Sequence, residues 1–211
     1  MPDTTVHVID DDDAVRDSLR FLFESAGLKV RAYESGAAFL AAADAHTAGC
    51  VLTDVRMPGF DGIALMRRLA ELGAEIPVIV MTGHADVPLA VEALKEGAAD
   101  FIEKPLDDER LLSAVRAALE TGRRRREEAA GIVAIAARLA SLTPREREVL
   151  DGLVVGHPNK TIAYDLGTSP RTIEVHRGRV MEKMQARSLA DLVRMVLAVE
   201  GKGPSTKSRP G

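Results

Sequence analysis

Tryptophan is absent from this chain of 211 residues, cysteine occurs once, and aromatic residues make up only 3%. The single cysteine, Cys50, cannot form an intramolecular disulfide, which excludes a small disulfide-stabilised scaffold. We expect Cys50 to be a small buried hydrophobe in a strand. Because 46% of the residues are apolar and so few are aromatic, the core must consist mainly of Ala, Val, Leu and Ile.

Long apolar runs are also lacking. No segment approaches the length of a membrane-spanning helix, and the opening residues "MPDTT" carry neither the basic cluster nor the apolar stretch of a secretion signal. We therefore expect a cytoplasmic protein. The length is sufficient for two modest domains, each with a core of its own.

Charge is distributed unevenly along the chain. Residues 1–122 contain 11 Lys and Arg against 22 Asp and Glu, a net charge of −11, whereas residues 123–211 contain 17 against 10, a net charge of +7. This polarity indicates that the second half is the one that meets a polyanion.

The segment "TGRRRREEAAGIVAIAARLASL" separates the two halves. Its arginine run is either a nucleic-acid patch or the solvated face of a linker helix. We favour the second interpretation because two glutamates, Glu127 and Glu128, directly follow the arginines. An apolar stripe along it can pack on either domain or on a second copy; it consists of Ile132, Ile135, Leu139 and Leu142. The predicted organisation is a first domain at 1–122, a helical linker at 123–141, a second domain at 142–200 and a disordered tail at 201–211.

The acidic half alternates apolar strands with amphipathic helical segments. Strands are predicted at 6–10, 28–33, 50–54, 77–83 and 100–105. Because a helical pattern lies between successive strands, the strands must run parallel, with helices covering both faces of the sheet. The predicted fold is therefore a doubly wound α/β domain.

Polar side chains follow four of these strands. They are Asp10 and Asp11 after the first strand, Asp54 after the third, Thr82 after the fourth and Lys104 after the fifth. Ligands of such sheets bind at the carboxyl ends of the strands. Carboxylates around a small pocket favour Mg²⁺, whose coordination is completed by phosphate oxygens. One carboxylate can act as nucleophile on a phosphoryl group while a lysine neutralises the negative charge that develops. Isolated aspartates are more often helix caps or turn formers, which we expect of Asp13, Asp61 and Asp86. Of the run at 10–13, we expect Asp12 to support the pair Asp10 and Asp11, and Asp13 to start the following helix.

The motifs "DDD", "TDVRMPGFDG", "MTGHAD" and "FIEKP" together resemble the receiver domain of two-component response regulators, over about the first 120 residues. The resemblance implies a flavodoxin-like sheet with strand order 2-1-3-4-5 and a cis Lys104–Pro105 bond. It also implies that Asp54 is the phosphoacceptor. It further implies that Mg²⁺ is held by Asp10, Asp11, Asp54 and the backbone carbonyl of Arg56, and that the phosphoryl-contact and switch residues are Thr82, Phe101 and Lys104.

The basic half is short and helical. Helices are predicted at 143–156, 159–167, 169–184 and 188–199. Thr143 caps the first with Glu146 as its reciprocal partner, and Ser169 caps the third. The second and third helices, with Gly167 between them, fit a helix-turn-helix; the alternative is a small helical bundle that binds nothing.

The third of these helices has two different faces. At 100° per residue, Ile173, Val180 and Met184 point inward, with His176 at the edge as a hydrogen-bonded structural residue. The opposite face offers side chains suited to reading base edges: Arg171, Glu174, Val175 and Gly178. The predicted contacts to the DNA backbone are Asn159, Lys160, Thr172, Arg177, Arg179 and Lys183.

The second half, through "LTPREREVL" and "NKTIAYDLGTSPRTIEVHRGRVMEKM", is similar to the LuxR-type helix-turn-helix. The whole chain is identified as a member of the FixJ subfamily of response regulators. This resemblance implies a sensor histidine kinase, FixL-like within that subfamily, as phosphodonor, and a homodimer when phosphorylated, formed through the surface at 87–119. It implies operator DNA and RNA polymerase as further partners. In this family the last helix commonly pairs subunits, which predicts a dimer role for Leu192, Val196 and Val199.

The regulated genes are predicted to serve nitrogen fixation, with an unrelated regulon under the same mechanism as the alternative. A Mg²⁺-dependent phosphatase with an aspartyl nucleophile is a competing hypothesis. Such enzymes carry a second carboxylate two residues after the nucleophile, whereas Asp54 is followed at that position by Arg56. We therefore expect no enzyme with an external substrate. A protein-interaction module without a DNA role is a third hypothesis, against which the outward face of the helix 169–184 counts.

Overall fold

The computed structural model describes residues 5–44, 47–59, 61–83 and 87–201. The chain divides into two compact units, Met1–Glu127 and Glu128–Gly211. Asp86, a predicted cap, and residues 202–211 of the predicted tail lie outside the described residues. Within the described part of the chain, no helix is both long and apolar enough to cross a membrane.

The first unit contains a parallel sheet whose strands are β1 Thr5–Ile9, β2 Lys29–Tyr33, β3 Cys50–Asp54, β4 Val78–Thr82 and β5 Asp100–Glu103. The helices between and after them are α1 Asp13–Ser25, α2 Gly36–Ala42, α3 Gly62–Glu71, α4 Val87–Lys95 and α5 Asp108–Ala140. All neighbouring strands pair in parallel, in the order β2-β1-β3-β4-β5. The predicted doubly wound fold and its strand order are therefore confirmed.

Helices cover both faces of the sheet because its inner strands are apolar on both sides. On one face, Val8 and Leu52 pack with Phe23 of α1 and Leu111 of α5. On the other, residues such as Val51 and Val80 pack with α2, α3 and α4. Cys50 is fully buried in β3 as predicted, and burial raises the pKa of its thiol to about 12.

The cap of α1 is Asp12, whose carboxylate accepts hydrogen bonds from the backbone N–H groups of Ala14 and Val15. Asp13 is the first residue of the helix, which confirms that it starts α1. The predicted cap Asp61 is confirmed, since its side chain accepts from the Ala64 N–H at the start of α3.

The second unit is helical. After the end of α5, its helices are α6 Pro144–Val155, α7 Asn159–Asp165, α8 Pro170–Met184 and α9 Leu189–Glu200. The predicted capping box is present, with Thr143 and Glu146 each accepting from the other's backbone N–H. Ser169 caps α8 as predicted. Gly167, with φ +62°, makes the left-handed turn between α7 and α8.

The apolar stripe of the segment before α6 packs into the core of this unit. Leu139 is buried there, with Ile135 and Leu142 against it. The predicted dimer role for the α9 stripe is wrong for Leu192 and Val196, which are buried in the same core because α9 closes the helical bundle. An apolar side chain that α9 does expose is Leu197.

Candidate functional site

Carboxylates and one ammonium group converge at the carboxyl ends of the strands in the first unit. One carboxylate oxygen from each of Asp10, Asp11 and Asp54 lies within 4.8 Å of the others. The Nζ atom of Lys104 donates hydrogen bonds to Oδ2 of Asp54 at 2.5 Å and to Oδ2 of Asp10 at 3.2 Å. Groups 50 and 94 residues apart in sequence are therefore in direct contact.

Burial distinguishes these side chains. Asp10 is 1% exposed and Asp54 14%, whereas Asp11 is exposed. Burial raises the pKa of Asp10 against the opposing effects of the Asp12 N–H and of Lys104. Burial by itself lowers the pKa of Lys104, but the hydrogen bonds and charges of Asp54 and Asp10 outweigh it, so that the pKa is raised and the ammonium form favoured.

The donor set fits a hard divalent cation. Three carboxylates provide oxygen ligands within a span that one ion can bridge. The negative charges repel one another, and one lysine offsets part of that repulsion. A cation at this position would remove most of the remaining repulsion between the carboxylates.

The segment after Asp54 is held close to its carboxylate. The backbone N–H of Arg56 donates to Oδ1 of Asp54 at 3.0 Å, and Val55 between them is buried. This places the Arg56 backbone beside the cluster. The Lys104–Pro105 peptide bond is cis, as the resemblance implies.

Thr82 and Phe101 lie on the neighbouring strands. Thr82 ends β4, is 3% exposed, and donates from its hydroxyl to the Gly83 carbonyl at 3.4 Å. Phe101 is half-buried in β5, and its backbone carbonyl accepts a hydrogen bond from Arg110 of α5. Thr82 is therefore at the strand end predicted for it, whereas Phe101 is the second residue of β5.

The second unit presents the face predicted for α8. Ile173, Val180 and Met184 are fully buried, which confirms the inward set. The outward residues are exposed; they are Arg171, Glu174, Val175 and Gly178.

Two side chains of α8 that are predicted to contact the DNA backbone make hydrogen bonds within the unit. Lys183 donates to Oε2 of the buried Glu146 at 2.6 Å and to the Ser141 carbonyl at 3.3 Å. Arg177 lies 3.5 Å from the Asn159 side chain. The hydrogen bond predicted for His176 is not found at Nδ1, which is buried and has no partner among the described residues.

Sequence reasoning missed two contacts of these regions. Arg16 of α1 donates to the backbone carbonyl of Asp10, and its spacing of three from Asp13 in a helix was the available signal. The Glu146–Lys183 ion pair joins residues 37 apart in sequence, and no local pattern indicates it.

Comparison with known proteins covers both units. Residues 6–116 match the family model "Response regulator receiver domain", and residues 140–196 match "Bacterial regulatory proteins, luxR family". The chain is 54% identical to the transcriptional regulatory protein FixJ of Azorhizobium caulinodans over the full length of both. It is 42% identical to the response regulator protein TmoT of Ectopseudomonas mendocina, over 92% of this chain and 88% of that one. The solved structure of the response regulator StyR aligns with a TM-score of 0.83 at 39% identity, covering 92% of this chain and 98% of StyR.

Proposed function

Since the chain belongs to the response regulators that join a receiver domain to a LuxR-type DNA-binding domain, and is FixJ-like over its full length, we propose that Asp54 is its phosphoacceptor. A sensor histidine kinase supplies the phosphoryl group, and phosphorylation controls operator binding by the second unit. The observation that carries this proposal is the convergence of Asp10, Asp11, Asp54 and Lys104 at one rim of the sheet.

In the transfer step, a carboxylate oxygen of Asp54 attacks the phosphorus of a phosphohistidine. The new O–P bond forms as the P–N bond breaks, and the released imidazole takes up a proton. Lys104, whose ammonium group is hydrogen-bonded to Asp54 before the transfer, neutralises negative charge on the transferred phosphoryl group. The Thr82 hydroxyl donates a hydrogen bond to one oxygen of that group. Mg²⁺, when bound, stabilises the charge that develops on the phosphoryl oxygens. The groups that would hold it are Asp10, Asp11, Asp54 and the Arg56 carbonyl.

Phosphorylation changes the surface next to the site. Movement of Thr82 and Lys104 toward the phosphoryl group, with a turn of Phe101, alters α4, β5 and the first part of α5. This surface, at 87–119, then joins two receivers. The exposed apolar side chains of Val91 and Leu94 on α4 support a role in association.

The paired second units bind two half-sites of an operator through α8 in the major groove. The base-reading residues are Arg171, Glu174, Val175 and Gly178, all exposed. The proposed backbone contacts are Asn159, Lys160, Thr172, Arg177, Arg179 and Lys183. Binding of chromosomal DNA places the protein's action in the cytoplasm.

The full-length similarity to FixJ supports a FixL-like kinase as phosphodonor and nitrogen-fixation genes, read by RNA polymerase, as targets. The alternative is an unrelated regulon under the same mechanism. The phosphatase hypothesis is disfavoured because Arg56 occupies the position where a second carboxylate is required.

The acceptor assignment is tested by replacing Asp54 with Asn and incubating the protein with a small phosphodonor and Mg²⁺. We expect the wild type to gain the mass of one phosphoryl group, in a form stable to acid. Asp54→Asn should not gain this mass, because the amide oxygen is a poor nucleophile. Asp61→Asn is the matched control, since Asp61 is exposed in the same connection and asparagine also caps a helix well. Labelling of Asp54→Asn at the wild-type yield would refute the assignment.

A further inference from the structure

Arg16 on α1 reaches back to the turn that carries the acidic residues. Its side chain is only 13% exposed, although it starts from a surface helix. One guanidinium nitrogen donates to the backbone carbonyl of Asp10 at 2.6 Å, and another forms an ion pair with Asp13. The guanidinium therefore bonds to the main chain of the turn on one side and pairs with the exposed Asp13 carboxylate on the other.

The other contacts of this turn hold different atoms. The Asp12 N–H donates to Oδ1 of Asp10 at 2.9 Å, and the Asp12 carboxylate caps the helix. The contact from Arg16 is instead to the main chain of Asp10. Since Asp11 directly follows that carbonyl, the path of the backbone here sets where both carboxylates point.

We infer that Arg16 is a positioning residue for the divalent-cation site, acting through the backbone of Asp10 without touching the ion. This inference rests on the proposed use of Asp10 and Asp11 as metal ligands. It assigns a different role to each aspartate of the run at 10–13: two ligands, one helix cap at Asp12, and a partner at Asp13 that holds Arg16.

The charge of Arg16 and its positioning role act on cation binding with opposite signs. A positive charge near the site repels Mg²⁺, so removing the charge alone would tighten binding. Loss of the hydrogen bond to the Asp10 carbonyl would loosen the ligand geometry and weaken binding. The sign of the change therefore separates positioning from simple electrostatics.

The test is calorimetric titration of Mg²⁺ into the full-length protein and its variant Arg16→Gln. We expect the Kd for Mg²⁺ to rise about tenfold, the lower end of the effect of removing an outer-sphere partner. Phosphodonor labelling should need correspondingly more Mg²⁺ while its rate at saturating Mg²⁺ stays near that of the wild type.

Arg20→Gln is the matched control. Arg20 lies one turn further along α1 and pairs with Asp17 with the same spacing of three, but it does not reach the turn. We expect its Kd to stay within about twofold of the wild type, as distant exposed charges are screened.

Thermal unfolding without Mg²⁺ checks that each variant folds. If Arg16→Gln does not fold, the same titration is made with Arg16→Lys, which keeps the charge but cannot bridge the Asp10 carbonyl and Asp13. An increased Kd for Mg²⁺ in that variant supports the positioning role. An unchanged or lowered Kd in the folded variant would overturn the role of Arg16. A wild-type protein that binds no Mg²⁺ would overturn the metal site as well, so the two failures are distinguishable.

Discussion

Gly178 lies within α8, and a Cβ atom added to it would meet no heavy atom within 4 Å apart from nearby backbone of its own helix. Packing within the protein therefore does not require a glycine here. A glycine inside a helix destabilises it by about 1 kcal/mol relative to alanine. The missing side chain leaves space on the outward face, between Val175 and Arg179, where α8 would approach base edges.

Replacing Gly178 with Ala should therefore have opposite effects on stability and on DNA binding. We expect the free energy of unfolding to increase by about 0.5–1 kcal/mol. We expect operator affinity of the phosphorylated protein to weaken by about 1–3 kcal/mol, because the methyl group enters a close-packed interface. Denaturant unfolding and fluorescence anisotropy with labelled operator DNA measure the two quantities.

Gly131→Ala is the control for this comparison. Gly131 is also in a helix, α5, and also has open space around the added Cβ. It should stabilise its helix while leaving operator affinity unchanged. Equal affinity of Gly178→Ala and the wild type would show that α8 does not approach DNA at this position.

At the scale of elements, α6 and α8 are joined by the ion pair of Glu146 and Lys183. Glu146 is 4% exposed on its side chain and also accepts the Thr143 N–H that completes the capping box. The hydrogen bond from Lys183, followed by that from Thr143, lowers the pKa of Glu146 from 4.5 to about 2. Contact of the same ammonium group with a DNA phosphate, as proposed above, would compete with this ion pair.

This pKa shift predicts how the second unit responds to acid. Because the folded pKa lies below the unfolded value of 4.5, the contribution of Glu146 to stability is fully present above about pH 5 and is lost as the pH falls toward 2. We expect Glu146→Gln to be less stable than the wild type at neutral pH and to lose less stability between about pH 5 and pH 2.5. Denaturant unfolding, followed by NMR signals of α6 and α8, measures this difference.

Glu148→Gln provides the matched control on α6. Glu148 pairs with Arg145 but is half exposed, so water screens the pair. Its acid profile should follow the wild type. A parallel decline of the wild type and Glu146→Gln would show that Glu146 does not carry the acid dependence.

At the scale of the whole molecule, a receiver and a DNA-binding unit of opposite net charge share one chain. The receiver can regulate the second unit by contact or by keeping it monomeric. The proposed phosphorylation-dependent dimer would double the number of recognition helices that meet one operator, and so would raise its effective affinity. The basic charge of the second half would then act at two adjacent half-sites together.

Phosphorylation should accordingly convert the protein from a monomer into a dimer. Light scattering coupled to size exclusion, on samples whose phosphate content is confirmed by mass, measures the change. Asp54→Asn under the same conditions should stay monomeric. A fully phosphorylated protein that elutes with unchanged mass would contradict dimerisation as the switch.

Local patterns in the sequence were sufficient for the elements and for much of the site. Alternating apolar strands and helices required a parallel sheet, and a parallel sheet brings strand ends to one rim, so Asp10, Asp54 and Lys104 were expected close together. Helix starts at Thr143 and Ser169 followed from caps whose hydrogen bonds span three residues. The caps depend on neighbours along the chain, whereas the shared rim follows from the parallel arrangement of the strands.

The tertiary structure decided the contacts between distant segments. Packing of α6 on α8 paired Glu146 with Lys183, and closure of the helical bundle buried Leu192 and Val196, which the sequence pattern alone left available for a dimer. At the acidic turn, only the folded geometry shows that Asp12 caps α1 and that Arg16 holds the Asp10 carbonyl. Periodicity in the sequence determines which side of a helix or strand is apolar. The atoms that contact that side depend on how the helices and strands pack. For that reason the sequence by itself determined which side chains lie at the carboxyl ends of the strands, whereas only the tertiary structure decided the contacts that support them.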